Sequence, residues 1–252
     1  MEGESNMAMW EPWRGCKKIS EGCKFCYIHK GDIKRGVDTN VVVQTKNFTK
    51  PIERLKDGSY KIKNGMIYTC FSTDFFIEEA DLWRDECWRM IKERADLTFL
   101  FLTKRIDRFY DCIPADWKDG YENVIICCTI ENQENADYKL NIFADLPIKH
   151  KYITSQPLIE KINIEKYLSD IELVVVGGEY DVNARVLEYD WVLDIREQCI
   201  RTNTNFEFRQ CGTYFIKDGI KYTLKYGDLM KQARLANINY PSSGIMIIGD
   251  EL

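Results

Sequence analysis

Leu173-Val174-Val175-Val176-Gly177-Gly178-Glu179 is the stretch that decides the fold. Four consecutive apolar residues without alternation predict a strand covered on both faces, as in a parallel sheet lying between layers of helix. The two glycines and the acid at its C-terminal end mark a turn where backbone can approach a neighbour closely. Residues 97–102 are nearly as continuous. Working outward, β-rich runs occur at 40–45, 66–71, 98–102, 123–129, 151–154, 173–176 and 205–208, with helical or polar segments between them. The helices are predicted over 78–94, where Trp83, Cys87, Met90 and Ile91 share a face, over 133–143, and over 189–201, where Trp191, Ile195 and Cys199 recur at four-residue steps. This rhythm of βα units predicts an α/β fold whose parallel strands curl into a partial or complete parallel (β/α) barrel or lie as an open sheet, built as one domain over 1–252. Residues 241–252 read as a loop plus a short apolar strand.

Composition narrows the classes. The chain has 252 residues, 45% hydrophobic and 30% charged, enough to bury a sizeable core. No apolar run approaches the ~18 residues of a membrane span, and the first ten residues lack the basic and apolar regions of a secretory signal, so a cytoplasmic location and no membrane partner are expected. A net charge of -5 argues against a protein that coats nucleic acid nonspecifically. Between Arg14 and Arg35, however, seven basic residues face two acidic ones, which leaves a polyanionic substrate in play near that segment.

Of the ten cysteines, Cys70, Cys127 and Cys128 sit in apolar runs and read as small buried hydrophobes. Cys16, Cys23 and Cys26 differ. They form C-x6-C-x2-C in a loop containing Gly15 and Gly22, flanked by Arg14, Lys17, Lys18 and Lys24. Thiolates are natural ligands of iron-sulfur clusters, three of them leave one iron open to a further ligand, and nearby cations favour the thiolate. Zinc competes, because His29 follows Cys26 at a spacing that a Cys3His site accommodates.

Cys23-Lys24-Phe25-Cys26-Tyr27 resembles the C-terminal part of the radical S-adenosylmethionine (SAM) motif, with an aromatic residue before the last cysteine. The six-residue first spacing, and landmarks along nearly the whole chain, resemble the phage-associated three-cysteine-motif family of radical SAM proteins, itself distantly similar to spore photoproduct lyase. Those landmarks are residues 10–27, Phe71-Ser72-Thr73-Asp74-Phe75-Phe76, Leu102-Thr103-Lys104-Arg105, Thr129-Ile130-Glu131-Asn132-Gln133, Ser155-Gln156-Pro157-Leu158, Gly177-Gly178-Glu179 with Ala184-Arg185, and Phe208-Arg209-Gln210-Cys211-Gly212. Each follows a predicted strand, as an active site at the C-terminal rim of a barrel requires. Two positions depart from the family pattern: Gln156 stands in place of Glu, and Cys211 in place of Trp.

The resemblance implies a 4Fe-4S cluster on Cys16, Cys23 and Cys26 within a loop at about 10–30, an external electron donor, and reductive cleavage of SAM to a 5′-deoxyadenosyl radical that abstracts hydrogen from a substrate. It implies that Gly177, Gly178 and Glu179 hold the amino-acid end of SAM and that Lys104, Arg105 or Arg185 pairs with its carboxylate. Ser72 and Asp74 are candidates for ribose or substrate, and Phe25 or Tyr27 for adenine. Asp74 equally suits a helix cap. A nucleobase or nucleic acid is one candidate substrate, a small metabolite or peptide another. The alternative from a different class is a zinc-stapled nucleic-acid or protein interaction module.

Overall fold

The structure is a computed structural model that describes residues 7–241. Its strands are β1 (Ala8–Trp10), β2 (Trp13–Arg14), β3 (Val43–Gln44), β4 (Gly65–Thr69), β5 (Leu97–Thr103), β6 (Val124–Thr129), β7 (His150–Ser155), β8 (Leu173–Gly177), β9 (Val186–Glu188), β10 (Asn205–Gln210), β11 (Tyr214–Lys217) and β12 (Ile220–Thr223). The α-helices are α1 (Tyr27–Lys34), α2 (Asp81–Glu93), α3 (Phe109–Cys112), α4 (Gln133–Ala144), α5 (Tyr189–Thr202) and α6 (Leu229–Ala236). The chain is α/β, and seven strands form one sheet in the order β1-β4-β5-β6-β7-β8-β10. Each new strand joins the same edge, which is the strand order of a partial (β/α) barrel. The pairings β1–β4, β4–β5, β7–β8 and β8–β10 are parallel. As the apolar run requires, Leu173 to Gly177 is buried at every position.

The chain folds as two compact units interleaved in sequence. The first comprises the segment ending at Lys17, together with Asp32–Cys127 and Pro147–His150. Its core is aromatic: Phe75 and Phe101 stack at 4.3 Å, and Trp88 meets both edge-on. On α2, Cys87, Met90 and Ile91 face inward, and the buried Arg84 donates to the carbonyls of Phe75 and Ile77. The second unit comprises Lys18–Gly31, Cys128–Leu146 and the segment from Lys151 onward. There α5 buries Val192, Ile195 and Cys199, and Tyr189, Phe208 and Phe215 pack together.

Two strand expectations change. Residues 40–45 are not a strand of the large sheet: only Val43–Gln44 pairs, antiparallel with Trp13–Arg14. The large sheet instead begins with Ala8–Trp10, parallel to β4. Three residues are too few for a period to show, and only the partner strand makes them a strand. The antiparallel pair β11–β12, with β9 parallel to β11, was likewise unforeseen. Residues 242–252, where a short strand is expected, lie outside the described residues. Among the described residues no helix is long and apolar enough to cross a membrane.

Candidate functional site

In the first unit the polar residues after β4 and β5 form a closed network around Asp74. Its Oδ1 accepts from Phe76 N at 3.0 Å and Thr103 Oγ1 at 2.8 Å. Its Oδ2 accepts from Lys104 N and from Arg105 Nη1, both at 2.9 Å. Four donors occupy the carboxylate, and Asp74 is 3% exposed, so it organises the rim and makes no helix cap. Arg105 extends the network: its Nη2 donates to the Lys17 carbonyl at 2.8 Å, and the guanidinium hydrogen-bonds Cys16. Burial works against the cation, but Asp74 and then Cys16 outweigh it and hold its pKa above the ordinary arginine value. Cys16 is half-buried; its backbone N donates to Thr39 O at 2.7 Å.

At Ser72 the backbone N donates to Glu11 Oε1 at 3.0 Å, and the side chain hydrogen-bonds the same carboxyl. Glu11 is a residue that the sequence reading missed. Its other oxygen, Oε2, is buried with no hydrogen-bond partner among the described residues. Burial pushes the carboxyl up to about 7, against the lowering pull of Ser72, Phe71 and the charge of Lys50. The only sequence signal was an acid wedged between Trp10 and Pro12.

In the second unit Glu179 and Arg185, assigned separately to the two ends of an amino acid, form a bidentate pair. Arg185 Nη2 donates to Glu179 Oε1 at 2.6 Å, and Arg185 Nε and backbone N donate to Oε2 at 3.1 and 2.9 Å. Glu179 is 6% exposed. Arg185 also donates to the Glu21 carbonyl at 2.9 Å, tying the cysteine loop to this rim. Gly178 is a glycine for a local reason: a Cβ there would stand 2.5 Å from the Cys211 carbonyl, where β8 and β10 end side by side. Phe25 is half-buried, with Lys24, Lys30 and Arg185 placed 5.4, 5.3 and 5.8 Å from its ring centre. Tyr27, the other adenine candidate, is 66% exposed at the start of α1.

Cys23 is buried and Cys26 half-buried in this same unit. Ser20 Oγ lies 3.6 Å from Cys23 Sγ and donates to Glu131 Oε1 at 2.5 Å. Glu131, fully buried after β6, has Lys139 Nζ 3.5 Å from its Oε2. All ten cysteines are free thiols, and those expected to be core, Cys70, Cys127 and Cys128, are at most 1% exposed. Among the described residues no three His, Cys, Asp or Glu side chains stand grouped as a ready metal cage.

A family model described as a protein of unknown function (DUF5131) matches residues 4–238. The chain belongs to the DUF5131 family. No curated protein matches this DUF5131 member. Two solved structures are similar to it. One is spore photoproduct lyase complexed with dinucleoside spore photoproduct, at 11% identity and TM-score 0.46, covering 91% of this chain and 73% of that one. The other is a double mutant of that enzyme with bound AdoMet and dinucleoside spore photoproduct, at 13% identity and TM-score 0.45, covering 92% and 74%.

Proposed function

We propose that this chain is a radical SAM enzyme that holds a 4Fe-4S cluster on Cys16, Cys23 and Cys26. The observation that carries this reading is the donor set: three unbridged cysteines spaced C-x6-C-x2-C, with Cys16 hydrogen-bonded to a guanidinium that Asp74 fixes in place. A cation at that position favours the thiolate over the thiol, which is the form that binds iron. When bound, the cluster supplies the electron that cleaves SAM to a 5′-deoxyadenosyl radical.

The chain's own residues bind and orient. Glu179 and Arg185 present an acceptor and a donor side by side, complementary to the ammonium and carboxylate of a methionyl group. The amino acid would enter by loosening this pair, and Arg185, 26% exposed at its side chain, is the half that water can reach. The half-buried Phe25, with cations nearby, offers a face for adenine. Lys104 remains a candidate for the carboxylate, and Gly177 lines the same strand end, with Gln156 within 3.1 Å of where its Cβ would be. Asp74 and Ser72 are proposed to shape the rim rather than touch ribose, since their polar atoms serve Arg105 and Glu11. The substrate class is proposed to be a nucleobase or nucleic acid, in keeping with the basic segment around the cysteines.

Anaerobic reconstitution, with iron and sulfide analysis and an assay for 5′-deoxyadenosine in the presence of SAM and a reductant, tests this. Wild-type protein is expected to bind iron and sulfide and to release 5′-deoxyadenosine. Cys16→Ala, Cys23→Ala and Cys26→Ala should each abolish both, whereas Cys87→Ala should retain them. Stoichiometric zinc without sulfide would transfer the site to the interaction-module reading.

A further inference from the structure

We infer that Glu131 is a positioning residue that presets the cysteine loop through Ser20, before any metal is bound. This rests on the reading of Cys23 as a cluster ligand, but its geometry stands on its own. Glu131 is fully buried directly after β6, at the C-terminal rim of the sheet. A carboxylate has no proton to give, so Ser20 donates its only one across the 2.5 Å separation, and the Cys23 thiol then donates to the Ser20 oxygen at 3.6 Å. A chain of two hydrogen bonds thus runs from a fixed strand end to the sulfur.

Three further features show that the loop is built around this carboxylate. Lys139 on α4 donates to the Thr129 carbonyl at 2.9 Å and faces Glu131 Oε2 at 3.5 Å, so the buried charge is matched from the rear. The backbone N of Ile159 donates to the Glu131 carbonyl at 3.0 Å, which fixes the main chain from which the side chain projects. Gly22, next to Cys23, has its missing Cβ position 2.4 Å from Glu131 Cγ and 2.6 Å from Oε1. Any side chain at 22 would push the carboxylate out of reach of Ser20. Glycine at 22 is thus required by the place of the Glu131 side chain.

A loop already tethered through Ser20 loses less conformational freedom when Cys23 takes a metal. Loss of the Ser20–Glu131 bond should therefore free Cys23 and weaken metal uptake. The test is iodoacetamide alkylation of the metal-free full chain, followed residue by residue by mass spectrometry, with the fully buried Cys199 as an internal gauge of folding. Ser20→Ala, Glu131→Ala and Gly22→Ala should each raise the Cys23 rate by about tenfold or more, the factor that about 1.4 kcal/mol carries. Cys199 should stay protected. Glu131→Gln, which keeps both the volume and an acceptor for Ser20, should restore most of the protection, and the loss in Ser20→Ala, which removes only the hydroxyl, is what a purely space-filling role of Glu131 does not explain. Iron and sulfide retained after reconstitution should fall in the same three variants. Unchanged Cys23 rates in both Ser20→Ala and Glu131→Ala, with Cys199 protected, would overturn the inference. If wild type takes up no iron and sulfide, the cluster reading fails while the alkylation series still decides the anchor.

Discussion

Asp74–Arg105 in the first unit and Glu179–Arg185 in the second are both carboxylate–guanidinium pairs just after strands, and the two are built differently. Asp74–Arg105 is closed: the side chains are 4% and 10% exposed, and both partners are consumed by internal contacts, including Cys16. Glu179–Arg185 is half open, with the acid buried at 6% and the arginine side chain 26% exposed. The same chemistry thus serves two ends. A pair sealed from water fixes a backbone rim, because breaking it strands a buried charge, whereas a pair with one wet partner can be remodelled at lower cost. Glu11 supplies the control, a buried carboxyl at a strand end with no arginine at all.

The largest expected effect breaks the closed pair. Asp74→Ala leaves Arg105 buried and charged while removing four hydrogen bonds from the rim, and should cost about 3–5 kcal/mol in chemical denaturation. A loss under about 1 kcal/mol would show that the pair is not sealed.

Next comes Glu11, through pH. Its pKa rises from the ordinary 4.5 to about 7 on folding, so between those values the folded chain holds a proton that the unfolded chain releases. Stability therefore falls as pH rises through this window, by at most about 3 kcal/mol. Glu11→Gln cannot ionise. Denaturation midpoints of variant and wild type should lie close together at pH 4 and separate in the variant's favour by pH 8; parallel pH profiles would remove Glu11 as a buried acid.

The smallest stability effect belongs to the half-open pair. Arg185→Ala should cost about 1–2 kcal/mol, because Glu179 keeps the backbone N of residue 185 and gains water. Its larger consequence should be in ligand binding, with SAM retention by equilibrium dialysis falling at least about tenfold. Full retention would move the carboxylate contact to Lys104.

Much of the architecture was legible because it depends on local pattern. The runs at 173–176 and 123–129 reappear as β8 and β6, and the helices over 133–143 and 189–201 as α4 and α5, within a residue or two at each end. Burial on both faces leaves a continuous apolar signature that needs no partner to be read. What failed was whatever depends on a partner: β1 is a strand only against β4, and residues 40–45 lack a place in the large sheet despite their β-branched content. At the site, the spacing of Cys16, Cys23 and Cys26 and the acid at 179 were visible as chemistry-bearing types in order. The pairing of Glu179 with Arg185, the saturation of Asp74 and the neutral tendency of Glu11 were not.

The sequence by itself determined the α/β class, the helical faces and which residues could carry thiolate or carboxylate chemistry, since these follow from residue type and short-range period. Only the tertiary structure decided which charges meet, which are sealed and which face nothing. Burial and hydrogen-bond partnership arise between segments far apart in the chain, and those two quantities set the energy and proton affinity of every polar group at the rim.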